Sequence, residues 1–305
     1  MECRATPEAE QAERGIERVD FELPNASEVR RGAFAFVLHN VFSVDECEQM
    51  IADSEARGYE QALVNTGRSQ VLDTSYRNSS RNIYDCESLA DEIYSRIRAH
   101  IPSEGCFGYH TYGEPKRWAC EGLNDRLRFL RYDPGDFFAP HTDGYYQRPY
   151  NHPRPACSNL TVMLYLNSGG GGGGSFEGGE TRFVAEGRDA GPSVALTPTA
   201  GDVLVFTHPV LHEGSMVIRG RKYAVRTDVM YSELGVAAPR TVGYGGAGVA
   251  PGEASTGGQQ QAVHSTVDLE RSPSIEAAQT EANAHEATAG GAAELVPLPE
   301  SMWRV

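Results

Sequence analysis

A series of short β-rich segments in the second half of the sequence limits how the chain can fold more than any other feature. Each segment is rich in β-branched, aromatic or leucine residues, and Gly or Pro residues separate it from the next. Strands in this arrangement, with no helices between them, predict a sandwich or jelly roll, so we expect a mainly β fold. The predicted strands are Leu127–Tyr132, Leu160–Leu166, Thr181–Val184, Ser193–Leu196, Val203–Thr207 and Tyr223–Tyr231.

Two helices are predicted before this series. Ser43 and Glu46 have the spacing of a capping box, in which each side chain bonds the backbone of the other, and Gly58 is placed to end the helix that they begin. A second helix is predicted from near Asp85 to a point before Pro102, with apolar residues at helical spacing. We expect both helices to pack on the β core.

Composition divides the chain into four predicted parts. Residues 1–20 are polar and are expected to be flexible, residues 21–122 form a helical and β support region, and residues 123–235 form the β core. Residues 236–305 are acidic and rich in Gly, Ala and Ser, with few aromatic side chains. Such a segment buries too little apolar surface to offset its ordering entropy, so the sequence predicts a disordered tail.

The formal net charge of −15 disfavours a nucleic-acid partner, because an acidic chain repels a phosphate backbone. No apolar run approaches the roughly 20 residues that a membrane-spanning helix needs. The polar N-terminus lacks the apolar stretch of a secretory signal. The sequence therefore predicts an intracellular, cytoplasmic protein without a membrane or nucleic-acid partner.

One short segment carries a candidate metal site. His141 and Asp143 are two residues apart, and on a strand residues at this spacing point to the same side. A third ligand must come from another segment, and His208 and His212 are both candidates. Two histidines and one carboxylate on one face of an octahedron suit iron(II) and leave three positions open. A 2-oxo acid can occupy two of these positions and dioxygen the third.

Two cations follow on a predicted strand. Lys222 comes ten residues after His212 and can reach the far carboxylate of 2-oxoglutarate, whose charge is costly to bury alone. Arg226 lies four residues further on the same strand face and can also point inward. The alternative for either residue is a surface charge paired with an acidic side chain.

Several motifs surround these residues in a fixed order along the chain. The motifs are Arg131–Tyr132 with Gly135, Tyr165–Asn167, Gly178–Phe183, Gly201–Phe206 and His212–Tyr223. Together they resemble the prolyl 4-hydroxylase-like branch of the iron(II)/2-oxoglutarate-dependent dioxygenase superfamily. The similarity extends over about residues 125 to 231.

The resemblance implies a double-stranded β-helix, or jelly-roll, core preceded by N-terminal helices. It implies that His141, Asp143 and His212 are the iron ligands, because the motif offsets fit when they are counted from His212 and not from His208. It also implies that Lys222 binds the distal carboxylate of 2-oxoglutarate.

Four other residues are expected to contact the co-substrate. Tyr132 matches a tyrosine that can hydrogen-bond 2-oxoglutarate, and Tyr165 matches another that lines the same pocket. Thr161 shares the strand face of Tyr165 and could assist, as could Arg226. The alternative for both tyrosines is core packing with an incidental hydroxyl partner.

The resemblance implies an oxidoreductase, a 2-oxoglutarate-dependent dioxygenase that hydroxylates an unactivated C–H bond of a peptide or protein. Its cofactors would be Fe(II), 2-oxoglutarate, O2 and L-ascorbate, and it would release succinate. Two alternatives remain: the same chemistry on a small metabolite or free amino acid, and a cupin-like metal-binding module without turnover. An alkylated base is a less suitable substrate, because the chain is acidic where a nucleic-acid groove would be basic.

Two further features are relevant to substrate binding. The loop of residues 144–158 carries aromatic, Arg and Pro residues and could form a lid. Alternatively, it is a surface loop stiffened by its prolines. Arg77 and Arg81 could face the cleft.

Overall fold

The computed structural model describes residues 15–25, 29, 32–65, 69–105, 117–148, 156–171, 173–188 and 190–234. All of these belong to one structural unit, Met1–His264. The predicted tail, residues 236–305, and residues 1–14 of the predicted flexible N-terminus lie outside the described residues. None of the described helices has the length and apolar character that crossing a membrane requires.

Two α-helices form where the sequence predicts them. They are α1 (Val44–Arg57) and α2 (Glu87–Ile97), and a short 3-10 helix, Arg98–His100, follows α2. At the start of α1 the Ser43 hydroxyl accepts from the Glu46 amide at 3.2 Å, and the Glu46 carboxylate accepts from the Ser43 amide at 2.8 Å. Gly58 ends α1 with a φ of 83°, a conformation that favours glycine. The predicted capping box and stop signal are therefore confirmed.

Two antiparallel sheets make up the β core. The strands of the described residues are β1 (Glu17–Asp20), β2 (Ala35–His39), β3 (Glu60–Gln61), β4 (Val64–Asn65), β5 (Gln70–Val71), β6 (Arg77–Asn78), β7 (Ser80–Asp85), β8 (Glu104–Gly105), β9 (Trp118–Leu123), β10 (Arg126–Tyr132), β11 (Phe137–His141), β12 (Cys157–Tyr165), β13 (Phe176–Gly178), β14 (Thr181–Phe183), β15 (Val194–Leu196), β16 (Val203–Thr207), β17 (His212–Gly214), β18 (Val217–Gly220) and β19 (Lys222–Glu233). The six predicted strands are present as β10, β12, β14, β15, β16 and β19.

The larger sheet, called the major sheet below, has the strand order β1-β2-β16-β12-β19-β10-β7-β3, with β9 also paired to β19 and β8 to β9. The minor sheet has the order β15-β14-β17-β11-β6. Two small pairs, β13 with β18 and β4 with β5, complete the described strands. The arrangement is a double-stranded β-helix, so the expected fold class is confirmed.

Alternate residues of the major-sheet strands enter two different hydrophobic clusters. In β2, Leu38 belongs to a buried cluster that also contains Ile93 of α2. Its neighbour Val37 belongs to a second cluster, which contains Phe183 of the minor sheet. Because side chains alternate across a strand, one face of the major sheet packs toward the helices and the other faces the minor sheet. Polar residues on that second face therefore meet between the sheets.

The structure contains strands that the sequence pattern does not predict. β1 lies within residues 1–20, which the sequence assigns to a flexible N-terminus, and it pairs with β2 along its whole length. The folded part therefore begins at least as early as Glu17, not at residue 21. All four β1 residues are exposed, so β1 lacks the apolar alternation that marks a strand. β7 is also largely polar, and pairing with β10 and β3 on either side holds it in the sheet.

Candidate active site

The three predicted metal ligands meet between the two sheets. His141 ends β11 and His212 begins β17, and the two residues lie directly opposite each other in the minor sheet. Asp143 follows the end of β11 by two residues. One nitrogen or oxygen atom from each side chain lies within 4.8 Å of the other two. The side chains of this triad are between 6% and 11% exposed.

Hydrogen bonds hold both imidazoles of the triad. The Nδ1 atoms of His141 and His212 lie 2.8 Å and 2.9 Å from the carbonyl oxygens of Ala139 and Val210. Since a carbonyl only accepts, each Nδ1 carries the proton and donates it. Each Nε2 is then an unprotonated acceptor, and each lies 3.8 Å from an oxygen of Asp143. This tautomer binds a metal through Nε2.

The protonation states of the triad also suit a cation. Burial is the first cause of the low pKa of His141, about 3, with the nearby His212 second, and burial also lowers the pKa of His212. Burial alone would raise the pKa of Asp143, but the cation of Arg226 is the first of the causes that outweigh it, so this pKa lies well below its usual range. At neutral pH the triad therefore consists of two neutral imidazoles and one carboxylate.

Both oxygens of Asp143 have a second partner. Thr161 Oγ1 donates to Oδ2 at 2.5 Å, and Arg226 Nη2 lies 3.1 Å from Oδ1. Thr161 and Arg226 share the strand faces of Tyr165 and Lys222, as predicted, but they lie at the triad carboxylate. Along each strand they are four residues from Tyr165 and Lys222, which is about 13 Å. Their contact with 2-oxoglutarate stays a prediction.

Arg226 also belongs to a chain of buried ion pairs that the sequence analysis did not identify. Its Nη2 lies 3.1 Å from Asp228 Oδ1, and Arg128 Nη1 donates to Asp228 Oδ2 at 3.3 Å. Arg128 and Arg226 lie directly opposite each other on β10 and β19, and Asp228 offsets the repulsion between these like charges. The signal in the sequence was a pair of charges at strand spacing within an otherwise apolar segment.

His208 lies next to the triad without being one of its members. Its ring is buried, with Nδ1 3.0 Å from Thr161 Oγ1 and Nε2 2.8 Å from Ser158 Oγ. Because the Thr161 hydroxyl donates its proton to Asp143, it accepts from Nδ1–H of His208. His208 thus holds Thr161 on the carboxylate, and both of its nitrogens are already bonded within the protein.

Lys222 lies in a separate buried pocket. Its Nζ donates to the carbonyl of Gly179 at 2.7 Å and lies 5.4 Å and 5.6 Å from the ring centres of Tyr132 and Tyr165. The Tyr165 hydroxyl is 2.7 Å from Thr181 Oγ1. Burial lowers the pKa of Lys222 to about 8. Among the described residues no carboxylate lies within 4.0 Å of Nζ. An ammonium has three donors, so the pocket fits a bound carboxylate.

The loop after Asp143 is described only in part. Residues 149–155, the middle of the predicted lid, lie outside the described residues. The two ends of the loop are joined, because the amide of Tyr146 donates to Ser158 Oγ and the amide of Ser158 donates to the carbonyl of Tyr146, both at 2.8 Å. The Tyr145 ring packs edge-on against His208, with 5.5 Å between the ring centres.

The region that contains both pockets matches a known family. The sequence model of the 2OG-Fe(II) oxygenase superfamily matches residues 127–227, which run from β10 into β19 and include the triad and Lys222. Through this match the chain resembles the 2OG-Fe(II) oxygenase superfamily. The resemblance is to the prolyl 4-hydroxylase-like branch, as the sequence motifs indicated.

Proteins similar to this chain include two of Arabidopsis thaliana. Probable prolyl 4-hydroxylase 3 is 27% identical over 212 residues, which cover 62% of this chain and 67% of the relative. Prolyl 4-hydroxylase 1 is 24% identical over 210 residues, which cover 62% of this chain and 65% of the relative. The chain thus spans about two thirds of the length of the curated relatives it matches.

Solved structures similar to this chain include two prolyl hydroxylases. The viral collagen prolyl hydroxylase of Paramecium Bursaria Chlorella virus-1 has a TM-score of 0.41 and 20% identity, covering 64% of this chain and 95% of that one. A prolyl-4-hydroxylase of Pseudomonas putida has a TM-score of 0.41 and 17% identity, covering 72% of this chain and 95% of that one.

Similarity to the superfamily implies Fe(II), 2-oxoglutarate and O2 as cofactors. The donor set fits this implication, because two neutral imidazoles and one carboxylate suit iron(II) and leave part of its coordination sphere open. The buried ammonium of Lys222 fits the second carboxylate of 2-oxoglutarate. The described residues therefore match both groups without rearrangement of the fold.

Proposed function

We propose that this oxygenase hydroxylates an unactivated C–H bond of a peptidyl substrate, as a prolyl 4-hydroxylase-like enzyme. The observation that carries the proposal is the convergence of His141, Asp143 and His212 between the sheets, together with the buried ammonium of Lys222 on the same inner face. The relatives named prolyl 4-hydroxylases support a peptidyl substrate with proline as the modified residue.

In this proposal the triad holds iron(II) through Nε2 of His141, Nε2 of His212 and one oxygen of Asp143. Bound iron, with 2-oxoglutarate and O2, supplies the oxidation that converts the substrate C–H to C–OH and releases succinate and CO2. The backbone carbonyls of Ala139 and Val210 hold the imidazoles so that both Nε2 atoms face the ion. Three ligands on one side leave the other side accessible to the co-substrates.

Thr161 and Arg226 act on the orientation of the Asp143 carboxylate. Thr161 holds one oxygen through a 2.5 Å hydrogen bond, and Arg226 holds the other through a 3.1 Å ion pair. The carboxylate is therefore fixed before any ion binds. A ligand that needs no reorganisation binds its metal in one geometry, which keeps the remaining positions in place for the co-substrates.

Lys222 is proposed to bind the distal carboxylate of 2-oxoglutarate. Its ammonium has two donors beyond the one given to Gly179, and a charge-assisted hydrogen bond to a carboxylate is about twice as strong as a neutral one. Tyr132 and Tyr165 flank Nζ and form the walls of the pocket. We propose that the Tyr132 hydroxyl hydrogen-bonds the co-substrate, whereas that of Tyr165 is bonded to Thr181.

One assay tests the proposed function. Proline-containing peptides are incubated with the enzyme, Fe(II), 2-oxoglutarate, O2 and ascorbate, and succinate and peptide hydroxylation are measured together. We expect equal amounts of both products, and less of both without ascorbate, which is proposed to keep the iron reduced. His141→Ala and Asp143→Ala should abolish iron binding and both products while leaving the unfolding midpoint measurable.

Two outcomes would contradict the proposal. Full turnover by His141→Ala would remove the triad from the reaction. Iron binding without succinate from any peptide, amino acid or metabolite would instead indicate a cupin-like binding module.

A further inference from the structure

The inner face of the major sheet carries a group of arginines beside the triad. Arg128 on β10 lies opposite Arg226 on β19, and Arg81 on β7 lies opposite Leu130, two residues from Arg128. Because side chains alternate along each strand, these three arginines share the sheet face of Lys222. The inner face of the major sheet therefore carries positive charge at these arginines as well as at the Lys222 pocket.

Arg77 faces this group from the minor sheet. It lies in β6 opposite Phe138, and its guanidinium carbon is 4.6 Å from the centre of the Phe138 ring. The same ring stacks on His141, with 3.5 Å between the ring centres. Burial lowers the pKa of Arg77, and the cations of Arg81 and Arg226 are close enough to lower it further. The Phe138 ring alone therefore lies between the Arg77 guanidinium and the proposed iron ligand His141.

Arg77 and Arg81 lack a buried acidic partner. In the part of the chain that the structure describes, no carboxylate lies within 4.0 Å of the Arg77 guanidinium, whose Nε donates to Ser79 Oγ at 3.2 Å. Arg81 Nε lies 3.5 Å from Glu60, but the Glu60 side chain is mostly exposed. Arg81 Nη2 also donates to Gln70 at 3.1 Å, which adds no negative charge.

Binding of the proposed cofactors does not remove this positive charge. Arg128 and Arg226 are compensated by Asp228 and Asp143, with which they form ion pairs. An iron(II) dication and a 2-oxoglutarate dianion cancel each other, and the Lys222 ammonium adds a further positive charge. The cations of Arg77 and Arg81 therefore persist in the loaded site, where a partly desolvated charge without a buried partner is costly.

We propose that Arg77 and Arg81 bind a carboxylate of the substrate, so that the oxygenase acts on an acidic peptide with Glu or Asp beside the hydroxylated residue. The proposal rests on the proposed function for its reaction but not for its binding site. Two planar guanidinium groups suit a carboxylate, which accepts paired N–H donors. A chain with a net charge of −15 repels acidic peptides at long range, so binding one requires a local cationic cleft of this kind.

Peptide binding to the anaerobic enzyme, loaded with Fe(II) and 2-oxoglutarate, tests this inference. Three synthetic peptides share a central proline and differ only at the next residue, which is Glu, Gln or Lys. We expect the Glu peptide to bind at least about tenfold more tightly than the Gln peptide, and the Lys peptide most weakly. Free L-proline supplies a carboxylate without a peptide, and tighter binding of L-proline than of the Glu peptide would overturn the assignment.

Matched variants connect the preference to the two arginines. Arg77→Gln and Arg81→Gln should each bring the Glu and Gln peptides toward equal affinity. Arg117→Gln, which removes a mostly exposed arginine paired with Glu104 on β8, should keep the preference. The unfolding midpoint of each variant is measured first. If Arg77→Gln does not fold, Arg77→Lys keeps the charge, loses the paired N–H donors and should weaken binding of the Glu peptide alone.

The result separates this inference from the proposed function. Equal binding of the Glu and Gln peptides by the unaltered enzyme, together with succinate formation, overturns the acidic-peptide inference and leaves the proposed function in place. A preference for the Glu peptide that Arg77→Gln abolishes, without succinate from any peptide, supports the binding site and contradicts the proposed reaction.

Discussion

Asp143 shows how single residues determine the chemistry of this site. Its carboxylate is nearly buried, and burial alone would favour the protonated acid. The cation of Arg226 at 3.1 Å is the first of the causes that reverse that preference. The same cation and the Thr161 hydroxyl, at 2.5 Å, hold the carboxylate in one orientation. Charge state and geometry of the proposed ligand therefore both depend on Arg226.

Removing Arg226 should destabilise the protein strongly. Arg226→Gln leaves Asp143 and Asp228 without a cation that they share, and breaking a buried pair in this way costs about 3–5 kcal/mol. Urea unfolding in the presence of a chelator measures the effect. The control is Arg219→Gln, because the Arg219 side chain is 78% exposed, whereas that of Arg226 is 16% exposed. The exposed ion pair of Arg219 with Glu177 should contribute less than about 1 kcal/mol. Similar losses of unfolding free energy in the two variants would contradict a stabilising role for the ion pairs of Arg226.

The affinity for 2-oxoglutarate should depend on pH through Lys222. Its pKa in the free protein is lowered to about 8, so the charged form is present below pH 8 and is lost as the pH rises through that value. A bound dianion requires the charged form, so affinity should be constant below pH 8 and fall up to about tenfold per pH unit above it.

Calorimetric titration of 2-oxoglutarate into the anaerobic Fe(II) enzyme between pH 7 and 9 measures this dependence. Lys222→Arg is the control, because a guanidinium keeps its charge throughout this range. If the affinity for 2-oxoglutarate falls equally in the unaltered enzyme and in Lys222→Arg, the pH dependence arises from the metal or from another group. Lys222→Met should weaken binding by at least about 30-fold at pH 7, since it removes one partner of a buried charge pair, and the difference from the unaltered enzyme should shrink above pH 8.

Among the secondary-structure elements, β19 positions most of the site. It pairs with β10, β12 and β9, and it carries Lys222, Arg226 and Asp228 on one face. Its other face carries Val225 and Val229, which belong to the cluster that includes the helices. A slip of one residue would exchange the two faces and would place the charges among apolar side chains. The register of β19 is therefore a condition for both pockets.

A close approach between two loops should make Gly201 difficult to replace. Gly201 has a φ of 84°, and an added Cβ would lie 2.0 Å from the carbonyl oxygen of Phe42. Gly187 has a similar φ of 88°, but an added Cβ would meet nothing within 4 Å. Gly187→Ala should cost about 1–2 kcal/mol for its backbone conformation alone. Gly201→Ala should lower the unfolding free energy, measured in urea, clearly more than Gly187→Ala does. Equal losses in the two variants would show that the backbone at Phe42 moves to accommodate the added Cβ.

At the scale of the whole molecule, the predicted division of the chain can be tested by truncation. We expect residues 236–305 to add nothing to the β core, because their composition cannot bury a core of its own. A chain that ends at residue 235 should keep its unfolding midpoint within about 2 °C, equivalent to less than about 1 kcal/mol at this size. It should also keep its rate of succinate formation. A larger loss of either would mean that the tail takes part in the fold or the site.

Local spacing was enough to predict much of this protein. The capping box of Ser43 and Glu46, the helix end at Gly58 and the six strands depend on residues close together in the chain. The grouping of His141, Asp143 and His212 was also predictable, because His141 and Asp143 are two residues apart in the chain and the motifs after His212 distinguish it from His208. Near-neighbour geometry follows directly from φ and ψ.

Other features depended on how distant strands align. Alternation placed Thr161 and Arg226 on the inner face, but only the register of β12 and β19 brought them to Asp143. Likewise, no pattern within β6 showed that Arg77 would share the Phe138 ring with His141. A strand determines the face of a side chain, whereas its partner is determined by long-range pairing, to which the local sequence contributes little.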